Sequence, residues 1–262
     1  MRSIQPETNF YSGAFFSNQK HGAFASAEAM APLIMDLVRP GSVIDVGCGV
    51  GAWLSVFSRL GVSDLCGVDG AYVDQDQLLI SRDKFVSADL TRAFRCDRKF
   101  DLVACLEVAE HLPGAAAPIL IDTLTRLGPV VLFSAAIPFQ GGNNHINEQW
   151  PEYWATLFRR KEFEPFDCVR PLVWNDERVM PCYAQNSLLF VQLDYLNVNN
   201  GLRRRLPPHP AEALSLVHPK IYLDRADPKQ YCMRQAFEFF STAAKNRLKS
   251  KVASERSRRP RV

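Results

Sequence analysis

No apolar run in this 262-residue chain approaches the ~18–20 residues that cross a bilayer. The longest, such as Val130-Val131-Leu132-Phe133, are strand length. The first nine residues are polar and include Glu7, and Arg2 is not followed by an apolar core, so no secretory signal is expected. There is no C-x-x-C pair among the seven cysteines (48, 66, 96, 105, 168, 182 and 232), and their number is odd. Buried reduced thiols in a cytoplasmic protein fit this pattern better than a disulfide framework or a structural zinc site. Internal repeats and low-complexity segments are absent, and a strong net charge is missing too: the formal value is +3. Even that is uneven. From Lys245 onward eight basic residues face one acidic residue; removing these from the 31 Lys+Arg and 28 Asp+Glu leaves 23 basic and 27 acidic in the body. A mildly acidic body with a basic, solvated tail is not built throughout to hold nucleic acid.

What is present is ordinary globular composition, 47% hydrophobic and 23% charged, with chain enough for one large α/β domain. Residues 24–38 have helical spacing, and Pro32 predicts a kink or a restart there. Val43-Ile44-Asp45-Val46 is a short β-branched run, and residues 52–60 predict a helix ending at Gly61. Strands are expected over 65–68, 85–88, 100–105 and 130–134, with a helix over 115–127 before the last of these. Short apolar strands alternating with helices predict a parallel sheet covered on both faces. Later, Pro151 suits the start of a helix over 152–160. Strands are expected over 166–169 and 187–193, residues 194–222 read as loop, and 230–249 as a final helix.

The strongest local signal is Val43-Ile44-Asp45-Val46-Gly47-Cys48-Gly49-Val50-Gly51, a strand running into G-x-G-x-G and then a helix. Glycines let a backbone turn sharply and approach a ligand with no Cβ in the way, and the helix start presents unpaired N–H groups. Asp69 closes the next strand and can accept both hydroxyls of a ribose. Asp89, in Ser87-Ala88-Asp89-Leu90, closes the third strand and could accept from an adenine amino group. A nicotinamide dinucleotide suits the loop less well, because G-x-G-x-x-G seats the pyrophosphate and Trp53 would obstruct it here.

These residues, with Phe100-Asp101-Leu102-Val103 leading to Glu107 and Val130–Phe133 beyond, resemble a class I S-adenosylmethionine-dependent methyltransferase. The resemblance covers about residues 24–193. It implies a Rossmann-like α/β fold with a seven-stranded, mostly parallel sheet, helices on both faces and the last strand antiparallel. It also implies the cofactor's contacts: Gly47, Gly49 and Gly51 against the methionine and ribose part, Asp69 on the ribose, Asp89 and the Leu90 backbone on the adenine, Asp45 orienting the amino-acid end, and Glu107 at the cofactor's edge. Domain organisation follows as a cap segment over 1–23, the cofactor domain over 24–193 with an acceptor-site insertion at about 138–186, an extension over 194–244 and the tail.

Glu107-Val108-Ala109-Glu110-His111 follows the fourth strand, and on one helical turn Glu107, Glu110 and His111 would share a face. With His145 as a fourth group they could hold a divalent cation such as Mg. This layout resembles two metal-using branches of the family, the ubiquinone-pathway O-methyltransferases and the small-RNA terminal 2′-O-methyltransferases; His145, Glu148 and Trp150 match the second only loosely. Many members carry E-H-L here with no metal, and then His145 is the candidate general base, with Glu148 and His111 beside it. Aromatics at Tyr11, Phe15, Trp150, Tyr153, Trp154, Trp174 and Tyr183, with His21, lie in the regions expected to cover an acceptor, although Trp154 reads as packing. The expectation is methyl transfer to a hydroxyl of a glycan or other small molecule. An RNA 2′-O-methyltransferase using the basic tail, an inactive cofactor-binding partner subunit and a homodimer stay open.

Overall fold

The computed structural model describes residues 13–227, with side chains from residue 22 onward, and isolated positions beyond (233, 237, 240–242, 245 and 247). The described residues up to 218 form one compact unit. Its seven-stranded sheet has the order β3-β2-β1-β4-β5-β7-β6, built from β1 (Ser42–Val46), β2 (Asp64–Asp69), β3 (Phe85–Ser87), β4 (Leu102–Leu106), β5 (Val130–Ser134), β6 (Phe163–Phe166) and β7 (Leu188–Gln192). β1 pairs in parallel with β2 and β4, β2 with β3, and β4 with β5. Only β7 runs against its neighbours, β5 and β6. The Rossmann-like sheet expected from the sequence is therefore the one observed.

The two-residue period of the strands sorts their side chains onto the two faces. Val43, Leu102, Val130, Leu132, Leu189 and Val191 join one core, which packs Met30 and Ile34 of α1 (Gly13–Val38) and Leu54 and Phe57 of α2 (Ala52–Arg59). Ile44, Val103, Val131, Phe133 and Phe190 join the other, against Leu120 and Leu124 of α3 (Ala117–Leu127) and Trp154 and Phe158 of α4 (Pro151–Arg159). There Phe158 stacks on Phe190 with ring centroids 3.9 Å apart. Strands buried on both faces must read as continuous apolar runs, and β4 and β5 are buried at every residue. α1 is continuous through Pro32, without the expected restart.

Beyond β5 the secondary structure departs from the sequence reading at three places. The sixth strand lies at Phe163–Phe166, earlier than expected, and contains Pro165; β6 is the sheet's edge, where a missing N–H costs no ladder bond. The excursion that follows is helical in two places, α5 (Arg170–Val173) and α6 (Pro181–Asn186). The first part of the stretch expected as loop after β7 is instead α7 (Leu193–Val198) and α8 (Asn200–Arg205); Leu196, Leu202 and, just past α8, Leu206 are buried in the α1-side core, and 206–218 are irregular as expected. Arg170, 1% exposed, pins this segment: it makes a two-point pair with Asp167 at 2.8 and 3.0 Å and donates to the carbonyl of Leu214 at 2.7 Å. The unit that begins at residue 219 is described through α9 (Pro219–Ala226). Tyr11, the side chains of Phe15 and His21, and most of the expected helix over 230–249 and the basic tail lie outside the described residues. Among the described residues no helix is long and apolar enough to cross a membrane.

Candidate active site

A cavity of about 610 Å³ lies at the carboxyl ends of β1, β2, β3 and β4, where open α/β sheets bind ligands. The glycine loop forms its floor. Gly47 sits at φ +86°, and a Cβ there would come within 2.3 Å of the Val108 side chain. That position therefore needs glycine twice, for the turn and for the close packing. Nothing lies within 4 Å of where a Cβ on Gly49 would be, so that backbone is open to a ligand. Trp53 and Tyr183 close one wall, their rings edge-to-face at 5.4 Å.

Four predicted cofactor carboxylates reach the cavity. Asp45 is 2% exposed on β1, and its Oδ2 has no hydrogen-bond partner. Burial, and then the charge of Asp69, push its pKa from 3.8 to about 8. Asp69 ends β2 and accepts from the N–H groups of Gly49 and Gly70, each at 2.6 Å, and from the Tyr72 hydroxyl at 2.5 Å. It thus ties the glycine loop to the second strand. Asp89 lies two residues past the end of β3, more exposed than the others; it accepts from the N–H and hydroxyl of Thr91, and those bonds hold its pKa low. Leu90 beside it is buried and lines the cavity.

Glu107 is built differently from the expected helical turn. It follows β4 directly at φ +54°, and Ala109–His111 form a single 3-10 turn. Its N–H donates to the carbonyl of Ser134 at the end of β5. Its oxygens take one amide donor each, Asn186 Nδ2 at 3.0 Å and Gln140 Nε2 at 3.2 Å. Burial nonetheless raises its pKa. Glu110 is fully buried with both carboxylate oxygens unpartnered, and burial followed by the charge of Glu107 holds its pKa well above the ordinary range. His111 lines the cavity with Nδ1 unpartnered; burial, and then His145, lower its pKa.

The loop after β5 carries His145 to this cluster. Ile146 and Asn147 donate their N–H groups to the Glu110 carbonyl, which fastens the loop to the segment after β4. Glu148 accepts from the N–H groups of Phe139 and Gly141 and lies 3.0 Å from His145 Nδ1. His145 meets His111 edge-on, ring centroids 4.9 Å apart. Gly142 makes room for that ring, since a Cβ there would come within 2.3 Å of it. Among the described residues Glu110, His111 and His145 are the group able to share a metal ion, with ligand atoms within 4.8 Å of one another. Glu107 is not in that group; its oxygens face the two amides.

Two of the expected acceptor-side aromatics are otherwise engaged. Trp154 packs against Phe133 in the core, as its spacing suggested, and Trp174 stacks obliquely on His218. Trp150 stays partly exposed at the head of α4. Sequence reading missed Gln140, Gln185 and Asn186, all buried beside Glu107. The one available signal was an adjacent pair of amides set directly before an apolar strand.

Strand order, glycine loop and acidic cavity together define the class I methyltransferase architecture. A model of the methyltransferase domain matches residues 19–165, and the chain belongs to that family. The ubiquinone biosynthesis O-methyltransferase of Methylococcus capsulatus is 28% identical over 130 residues, 43% of this chain and 53% of that protein. The ribosomal protein L11 methyltransferase of Caldanaerobacter subterraneus is 26% identical over 148 residues, 55% of this chain and 47% of that one. The chain thus spans about half the length of the curated relatives it matches. The sugar N-methyltransferase KedS8 from Streptoalloteichus sp. has a similar fold, with a TM-score of 0.56 at 15% identity over 73% of this chain and 97% of that one.

Proposed function

We propose that the protein transfers the methyl group of S-adenosylmethionine to a hydroxyl of a glycan or other small molecule, with His145 as general base. The residues fit the cofactor. A cavity of about 610 Å³ is of ligand size. The buried Asp45 carboxylate, with Oδ2 unpartnered, suits a cationic ammonium group, and Asp69 has acceptor capacity left for a ribose hydroxyl. Asp89 and Leu90, which line the cavity, are assigned to the adenine, and Glu107 to the cofactor's edge. When bound, S-adenosylmethionine supplies an already activated methyl group, so the chain's task is to position, desolvate and take a proton.

The observation that carries the choice of a hydroxyl acceptor is the His145–Glu148 pair at 3.0 Å. Glu148 can hold the proton on Nδ1 and leave Nε2 as the acceptor, the arrangement a base needs. Its two backbone bonds fix the orientation of that pair. A phenol, carboxylate or amine needs little such help, whereas a sugar hydroxyl does. His145→Ala is expected to lower turnover about 100-fold or more in a screen of hydroxylated acceptors and to leave cofactor affinity within twofold; unchanged turnover would overturn the assignment.

A second reading is favoured by one specific feature, the unpartnered oxygens of Glu110 and Nδ1 of His111 near His145. These three could hold a divalent cation, which would supply Lewis-acid activation of the hydroxyl. Two imidazoles and one carboxylate suit a transition ion better than Mg, which prefers oxygen ligands. Loss of turnover on chelation, restored by one metal, distinguishes this from the metal-free base.

A further inference from the structure

We propose that Asn186 and Gln140 are positioning residues that aim the Glu107 carboxylate into the cofactor cavity, so that the site prefers the positively charged cofactor over its neutral thioether product. The proposal rests on the methyltransferase reading above and assigns work to residues outside the glycine loop and its carboxylates.

The topology explains how these residues arrive there. Every other strand of the sheet points its carboxyl end toward the edge that carries the cavity. β7 runs the opposite way, with Leu188 paired to Phe133, so the residues just before it reach the same edge as the ends of β4 and β5. Gln185 and Asn186 are those residues, in the last turn of α6. Gln140 comes from the other direction, on the loop after β5.

The three amides form a closed network. The oxygen of Gln140 accepts from Asn186 at 3.0 Å, from Gln185 at 2.9 Å and from the N–H of Ile137 at 3.3 Å. The oxygen of Asn186 accepts from Gln185 at 2.9 Å. The oxygen of Gln185 accepts from the N–H of His218 at 2.8 Å. With every amide oxygen committed, the Nδ2 of Asn186 and the Nε2 of Gln140 are left facing Glu107, one on each carboxylate oxygen. Exposures of 7% for Gln140, 1% for Gln185 and 3% for Asn186 leave no water to take over these bonds. Such a network costs more to bury than an apolar core unless it is fully satisfied, and when satisfied it specifies one arrangement. The left-handed backbone of Glu107 points the same way, since a non-glycine residue at φ +54° is held by its surroundings. A negative group so fixed at the cavity wall attracts a sulfonium and is indifferent to a thioether.

The test compares S-adenosylmethionine with S-adenosylhomocysteine by calorimetric titration into the full-length protein. These ligands differ by one methyl group and one positive charge. Glu107→Gln is expected to reduce the affinity ratio of the first over the second by about tenfold, the size of one charged interaction. Asn186→Leu should reduce the ratio by a similar factor, and Glu107→Gln combined with Asn186→Leu should reduce it no further, because the amide acts only through the carboxylate. Gln140→Met removes one donor with little change of volume and should give a smaller reduction; it stands in for Asn186→Leu if that variant does not fold. Equal weakening of both ligands, or effects that add in the double variant, would show a purely structural network and overturn the proposal. Failure of the unaltered protein to bind either ligand would instead refute the methyltransferase reading on which the proposal depends.

Discussion

Asp45→Asn should make the protein more stable when no cofactor is added, and a poorer binder of that cofactor. Burial and Asp69 raise the pKa of the Asp45 carboxyl from 3.8 to about 8. An acid whose folded pKa lies above its unfolded value lends most stability below the unfolded value and loses it as pH rises toward the folded one. Over that window linkage sets an upper bound of ~5 kcal/mol on the penalty accumulated by pH 8. Asparagine matches the shape and never ionises, but it leaves a buried amide short of partners, at a cost of ~1–3 kcal/mol. The net gain at pH 8 is then ~2–4 kcal/mol, which raises Tm by roughly 5–10 °C in a chain of this size. At pH 5 only ~1.6 kcal/mol of that penalty has accumulated, about the cost of the buried amide, so the gain should vanish. Thermal unfolding of both proteins at the two pH values tests this directly. Equal Tm shifts at pH 5 and pH 8, or a lower Tm for the variant at pH 8, would show that Asp45 is not held as an unpaired buried acid. Stability given up at a charged site and recovered on ligand binding is the usual signature of a functional group.

Two further changes probe the scaffold. Gly47→Ala places a Cβ 2.3 Å from Val108 at a positive φ and should destabilise the fold by ~2–4 kcal/mol, read as a lower urea midpoint; a neutral effect would mean the loop is not held as described. Arg170→Met leaves Asp167 uncompensated and frees the carbonyl of Leu214, with an expected loss of ~3–5 kcal/mol. Limited proteolysis should then cut first within residues 206–218, and protection there equal to that of the unaltered protein would count against the anchoring role.

How far the sequence could be read depended on whether a feature was local. The run from Val43 to Gly51 is a strand, a turn and a helix start in consecutive residues, and it lies where that pattern predicts. So do Asp45 and Asp69, because parallel strands deliver their carboxyl ends to one edge. Asn186 was illegible for the complementary reason: it reaches the site only because β7 runs antiparallel, and no short-range pattern encodes that. Pro165 concealed an edge strand, since a proline interrupts the apolar run even where the sheet tolerates it. Leu196, Leu202 and Leu206 are separated by asparagines and arginines, so their shared burial against α1 is visible only in three dimensions. The departure at Glu107 has the same origin. Helical spacing grouped it with Glu110 and His111, but its left-handed backbone sends the carboxylate to the amides of Gln140 and Asn186.

Assignment of the cavity to S-adenosylmethionine is tested by calorimetric titration of that cofactor into the purified protein at pH 7, in two buffers of different ionisation heat. One site per chain is expected, with a heat that differs between the buffers because Asp45 gives up its proton when the cation enters. Absence of binding in both buffers would contradict the assignment of the cavity to this cofactor.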